Sequence, residues 1–303
     1  MWVSFFTTIC NNYFVMENTT NIDLVIPYVN NEDVVWRNTY ISFCKKNNLN
    51  NKIVDLFSNR FAGITFIYYQ LQLVKINMPW INKIYLLLSN KEQVIPSLLP
   101  KNCEIVLHEQ FIPHNFLPTF NSTTIEMFLW NIKGLSEKFI YANDDMLPTG
   151  ELKPSDFFKG DKIKIAWRED EFDPCSTVYA YQCYNNCLAL SKKMNYKYPS
   201  NKMIRPVHSF TPMIKSHCES AYYLIKEYIN PHIRAFRTEY QYNQYIYPIY
   251  EHWKYGTLPS DIDFLYTELD KEFDLNHQIV CVNCEKNKEY VDKFLREIKT
   301  LCK

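Results

Sequence analysis

Glycine is scarce, with only five among 303 residues, against 23 tyrosines and 20 phenylalanines. That balance suggests a compact protein rich in aromatic faces, although a skewed nucleotide composition, with its abundant Asn, Lys and Ile, explains it equally well. No charge of one sign dominates. Lys and Arg total 33, as do Asp and Glu, so the chain lacks the basic field of a protein that grips a phosphate backbone. Nucleic-acid binding is disfavoured. No apolar run reaches the roughly 18 to 20 residues that span a bilayer. The first fifteen residues, Met1 to Val15, lack a basic start and an A-x-A-like cleavage site, and make a poor signal peptide. We expect either Met16 as the biological start or an N-terminal extension over 1–15.

Repeats and low-complexity linkers are absent too. With 47% apolar and 22% charged residues, the composition is that of an ordered globular protein. We expect a single α/β domain over 16–303, with a core at about 20–170 and a more helical part at about 171–303. Without a secretion signal the ten cysteines read as reduced thiols, many of them buried, and the cytoplasm as the compartment. Cys281 and Cys284 have C-x-x-C spacing, and Cys175, Cys183 and Cys187 are further candidate zinc ligands. Their spacing is not a standard one, so buried thiols are favoured over zinc.

Near-continuous apolar runs predict buried strands at 22–29, 83–89, 104–108 and 138–142, with a further strand at 162–167. Helical patterns fall at 66–78, 217–229 and 287–300. Asn121-Ser122-Thr123-Thr124-Ile125-Glu126 predicts a helix start with a capping box of Thr123 and Glu126, running to about Ile132 and stopping at Gly134. The stretch 240–255 has no assignable period. Buried strands separated by helices predict a mostly parallel sheet, with a helical second half closing over its binding face.

The fourth strand runs into Asn143-Asp144-Asp145. Ligands of open α/β sheets bind at the carboxyl ends of strands, and paired acids there suit a hard divalent cation held against a diphosphate. An Asp-rich turn is the plain alternative.

The surrounding motifs decide between them. Leu117-Pro118-Thr119-Phe120-Asn121-Ser122 with Ile125-Glu126, then Gly134-Leu135-Ser136-Glu137, Phe139-Ile140-Tyr141, Asn143-Asp144-Asp145 and Asp156-Phe157-Phe158, resembles the second conserved block of the Stealth family. Pro79-Trp80 with Lys83-Ile84 looks like a strand of the same block. Val207 to Met213 and Ala235 to Tyr240 resemble a third block, and Cys281 to Leu295 a fourth. The resemblance spans residues 22 to 301. It implies a fold like that of nucleotide-sugar transferases and transfer of a sugar-1-phosphate from a nucleotide-sugar donor, such as a UDP-N-acetylhexosamine, to a hydroxyl of an oligo- or polysaccharide acceptor. UMP would leave.

In that reading Asp144 and Asp145 hold Mg²⁺ or Mn²⁺, His208 is the base, and Arg237 forks the transferred phosphoryl group. Asn121 and Ser122 bind donor phosphate or sugar, although Ser122 serves equally as a helix cap. Asn143 and Asn30, at two strand ends, complete the substrate contacts. Read without the resemblance, His208 is a loop histidine and Arg237 a surface partner of Glu239. The reading places the chain in the cytoplasm, with peripheral association at the inner membrane face as its extension. The chain departs from the family pattern at Ala62, at Asn30-Asn31 and at Cys284. Two alternatives stay open: a metal-dependent glycosyltransferase releasing UDP, and an inactive glycan-binding scaffold.

Overall fold

The computed structural model describes residues 21–53, 66–173, 175, 177–283 and 287–303. The expected N-terminal extension and the departures at Ala62 and Cys284 lie outside these residues.

Along the chain, strand β1 (Ile22–Pro27) leads to helices α1 (Val34–Lys46), α2 (Asn50–Ile53) and α3 (Phe66–Asn77). Then come β2 (Ile84–Leu88), β3 (Cys103–Leu107), α4 (Ser122–Glu126), β4 (Lys138–Tyr141) and β5 (Met146–Leu147). A middle section holds α5 (Pro154–Phe157), β6 (Phe158–Lys159), β7 (Lys162–Ile165) and β8 (Trp167–Glu171). It is followed by α6 (Val178–Met194), β9 (Lys202–Pro206), β10 (Thr211–Ile214), α7 (Lys215–Ile229) and α8 (Ile246–Tyr255). The chain closes with β11 (Leu258–Pro259), β12 (Phe264–Thr267), β13 (Ile279–Val282) and α9 (Lys288–Leu301).

The main sheet has the order β10-β4-β1-β2-β3. Its β4, β1, β2 and β3 are mutually parallel, and β10 joins the β4 edge antiparallel, with Met213 opposite Phe139. The fold is thus α/β with a mostly parallel core. Both faces are covered, which explains the unbroken apolar runs. Val25, Tyr85, Leu87 and Phe139 pack toward α6, α7 and α8. The alternate residues Leu24, Ile26, Leu86 and Ile140 pack toward α3 through Ile67, Leu71 and Val74.

Asp23 is the charged exception within β1 and is fully buried. Its carboxylate accepts from Asn82 Nδ2 at 2.8 Å, the Lys83 amide at 3.1 Å and the Ser136 amide at 2.7 Å. A buried carboxylate is tolerable when so satisfied, and here it ties the entries of β2 and β4 to β1.

Two expectations need correction. The helix expected from 121 to about Ile132 ends at Glu126, because the Glu126 side chain turns into the core instead of serving a capping box. Asn121 is the cap, accepting from the Thr123 amide at 3.2 Å, and a single 3-10 turn at Leu129–Asn131 replaces the rest. The strand expected over 162–167 breaks at Ala166. Its second part, β8, leaves the neighbourhood of β6 and pairs antiparallel with β9. Residues 246–255, from the stretch without a legible period, form α8.

Candidate active site

A cavity of about 720 Å³ opens where β1 and β4 end, within the usual size range of small-molecule sites. Asn143, Asp144 and Asp145 follow β4 at its floor. Their loop is held from beneath by the buried Gln70 of α3, whose amide donates to the Asn143 carbonyl at 2.8 Å and the Met146 carbonyl at 2.6 Å. The Val282 amide of β13 donates to the Asp145 carbonyl at 2.9 Å. The short turn between β9 and β10 brings His208 over the same loop.

His208 is fixed on both ring nitrogens. Nδ1 lies 3.2 Å from the Tyr245 hydroxyl and Nε2 lies 3.5 Å from Asn143 Nδ2. Tyr141 donates to Asn143 Oδ1 at 2.5 Å, so the amide presents N–H to Nε2. This makes Nε2 the acceptor nitrogen and leaves Nδ1–H to donate to Tyr245. Tyr141 also lies 2.9 Å from Glu126 Oε1. A hydroxyl has one proton, so Tyr141 donates to Glu126 or to Asn143 at any one time. Burial pushes the Glu126 carboxyl up, and Arg237 opposes the shift.

Arg237 reaches Ser122 Oγ through Nη2, while its Nε is buried without a hydrogen-bond partner among the described residues. It is therefore not a surface partner of Glu239. A guanidinium with a spare buried N–H can receive an oxyanion.

Asp144 and Asp145 repel each other. Burial and the Asp145 charge push the Asp144 carboxyl up to about 7. Asp145 Oδ1 is buried with no hydrogen-bond partner among the described residues, and Asp145 Oδ2 lies 3.8 Å from His208 Nε2. One ligand atom each from Asp145, His208 and Cys281 falls within 4.8 Å of the others. Adjacent acids with an orphaned buried oxygen fit a divalent cation. The Cys281 thiol is pushed up by burial and by the Asp145 charge, and the acid oxygens are the donors that suit a hard ion. The C-x-x-C partner Cys284 lies outside the described residues.

Of the expected site residues, Asp144, Asp145, Asn143, His208, Arg237, Ser122 and Asn121 border the cavity. Asn121 has little left to offer a ligand. It is fully buried, caps α4 and donates to Gln241 Oε1 at 3.0 Å and the Arg234 carbonyl at 3.2 Å. Asn30 is not in the lining; its side chain accepts from the Glu32 amide at 3.0 Å within the turn before α1, and Val29 faces the cavity in its place. Sequence reasoning missed Glu126, Tyr141 and Tyr245, which orient Asn143 and His208. It also missed Arg168 and Arg205. Arg205, three residues before His208, is a signal that was available.

His108 lines the cavity with a buried Nε2 that has no hydrogen-bond partner among the described residues. Burial lowers its pKa from 6.5 to about 4. The unfolded chain takes this proton at the ordinary value, so folding stability is full above pH 6.5 and falls as pH drops toward 4. We expect a loss of about 3 kcal/mol across that window from this residue. Denaturant titrations at several pH values should show it, and His108→Gln should flatten the slope.

Among the described residues no helix is long and apolar enough to cross a membrane. Residues 60–166 match the profile of Stealth protein CR2, conserved region 2. The chain is 33% identical over 224 residues to the capsular polysaccharide phosphotransferase LcbA of Neisseria meningitidis, covering 71% of this chain and 58% of that protein. It is 40% identical over 153 residues to the capsular polysaccharide phosphotransferase WcwK of Streptococcus pneumoniae, covering 49% of this chain and 44% of that protein. The chain thus spans roughly half the length of these relatives. Among solved structures, a crystal structure of the galactosyltransferase LgtC with donor and acceptor sugar analogues overlaps 92% of this chain and 95% of its own, at 9% identity and a TM-score of 0.40. So loose a likeness carries no functional argument. The matched region contains α4, β4 and the Asn143-Asp144-Asp145 loop, the elements on which the cavity is built, and the chain belongs to the Stealth family.

Proposed function

We infer that this chain transfers a sugar-1-phosphate from a nucleotide-sugar donor of the UDP-N-acetylhexosamine type to a hydroxyl of a surface polysaccharide, forming a phosphodiester and releasing UMP. The observation that carries the reading is the pairing of an acceptor nitrogen, His208 Nε2, with a spare guanidinium N–H, Arg237 Nε, on one cavity. The likeness to the capsular polysaccharide phosphotransferases LcbA and WcwK supports it. The same reading places the chain on the cytoplasmic side of the membrane.

His208 Nε2 takes the proton of the acceptor hydroxyl as its oxygen attacks the sugar-linked phosphorus. The bond from that phosphorus to the bridging oxygen breaks, and UMP leaves with the electron pair. Negative charge gathers on the phosphoryl oxygens, where Arg237 stabilises the transition state more than the ground state. Asp144 and Asp145 would hold Mg²⁺ or Mn²⁺, which when bound offsets the charge of the diphosphate. The acceptor hydroxyl replaces the long 3.5 Å contact of Asn143 Nδ2 at Nε2, Tyr245 on Nδ1 keeps the ring aligned, and Ser122 holds the Arg237 fork in place.

Phosphorus NMR of the product, with chromatography of the released nucleotide, tests the reading. We expect a phosphodiester between sugars and UMP. A phosphate-free glycosidic bond with UDP would replace it by the glycosyltransferase reading. Arg237→Lys keeps the charge and loses the fork, and at a bidentate site the two are not interchangeable. We expect kcat to fall at least about tenfold, or about 1.4 kcal/mol of barrier. An unchanged kcat would remove Arg237 from the transition state.

A further inference from the structure

The end of the cavity beyond His208 holds positive charge that the reaction above does not use. In the β8–β9 ribbon Arg168 stands directly opposite Arg205, and both line the cavity. Like charges directly opposite in an antiparallel pair repel each other. One carboxylate only partly offsets them. Arg205 Nε lies 3.0 Å from Asp170 Oδ2, and its guanidinium lies 5.7 Å from the centroid of the Tyr179 ring. Arg168 is exposed and has no ion-pair partner among the described residues. A stable ribbon gains nothing from this arrangement. A diagonal pair of the same ribbon shows the usual solution, with Glu169 bridged to Lys202 at 2.5 Å.

The residue type narrows the ligand. Among the described residues the cations lining the cavity are Arg168, Arg205 and Arg237 together with histidines, and no lysine lines it. Guanidinium forks select planar or tetrahedral oxyanions.

The topology narrows its source. Phe236, beside Arg237, packs on Phe120 and on Tyr40 of α1, so Arg237 belongs to the α1 side of the cavity. The sheet order β10-β4-β1-β2 sets Tyr28 and Ser89, which follow β1 and β2, on that side as well. Arg205 comes instead from the strand that delivers His208 at the opposite edge. The two arginine sites thus come from different elements of the cavity wall.

We propose that Arg168 and Arg205 form a subsite for a phosphate oxyanion carried by the acceptor glycan, on the β8–β9 wall of the cavity. The inference rests on the phosphotransfer reading, because each transfer leaves a phosphodiester in the product. A product that re-enters as acceptor brings that charge with it. The ribbon would then favour chains that already hold a phosphodiester over neutral primers.

Isothermal titration of the full chain tests this without turnover. The probes are a disaccharide of N-acetylhexosamine joined through a phosphodiester, the same disaccharide joined through an uncharged methylphosphonate, and UDP. The wild type should bind the diester at least about tenfold tighter than the methylphosphonate. Arg168→Gln, at an exposed position that the fold does not need, should erase that preference and leave UDP affinity unchanged. Equal affinity of the wild type for both disaccharides overturns the proposal. So does a loss of UDP affinity in Arg168→Gln with the diester preference kept, because the pair would then serve the donor. Release of UDP by the wild type would instead overturn the phosphotransfer reading, and these affinities would stand apart from it.

Discussion

Replacing His208 by alanine should lower kcat by roughly 10² to 10⁴, the span associated with a general base. The hydrogen bonds explain why the effect should be that large. Tyr245 on Nδ1 and Asn143 on Nε2 hold the ring in one tautomer and one orientation, so no bulk water replaces it in equivalent geometry. The variant should fold, because the ring borders a cavity and is not packed in the core. Tyr245→Phe supplies a milder comparison: it frees Nδ1 and should cost a few-fold in kcat while shifting the pH–rate profile. Single-turnover rates at saturating donor and acceptor measure both. A loss under tenfold in His208→Ala would assign the proton to another group.

Asp145→Asn should lower transfer at least about a hundredfold, or about 2.7 kcal/mol of barrier, with no loss of thermal stability. The two halves of this expectation share one cause. Asp145 Oδ1 is buried without a hydrogen-bond partner among the described residues, and its charge pushes up the neighbouring Asp144. Such a carboxylate costs the fold and is retained at functional sites. Removing the charge should therefore leave the melting temperature level or raise it. Excess chelator should likewise stop the wild type, with recovery on adding Mn²⁺ or Mg²⁺. Activity that persists in chelator would remove the cation, and a melting temperature lowered by many degrees in Asp145→Asn would make the residue structural.

The parallel strands were legible because burial on both faces writes continuous apolar runs, as in Ile22–Pro27 and Ile84–Leu88. Helix α6 was not legible, and its buried face explains why. Gln182, Asn185 and Asn186 turn inward to hold the Thr238, Glu239, Gln241 and Asn243 segment by hydrogen bonds. Polar residues there erase the apolar stripe that announces a helix. The β8–β9 ribbon hid for a related reason, since Trp167–Glu171 is a strand made largely of charged residues. Glu126 was misread because a capping box and an inward carboxylate look identical in one dimension. Its role depends on Tyr141 and Gln244, which approach from distant parts of the chain. Strand ends with paired acids could be read locally. The base and the guanidinium required the resemblance, because nothing near His208 or Arg237 in sequence declares where they point.

The antiparallel edge strand β10 also has a consequence during synthesis. Strands β1 to β4 and their acid loop emerge from the ribosome first and can pair among themselves. His208 enters only with the β9–β10 turn, and Cys281 later still with β13. Domains generally fold as they are made, from the N-terminus onward. A nascent or prematurely terminated chain can therefore hold the acidic floor of the cavity without the imidazole above it. Such a fragment would lack His208, so a chain that stops before the β9–β10 turn should show no transfer.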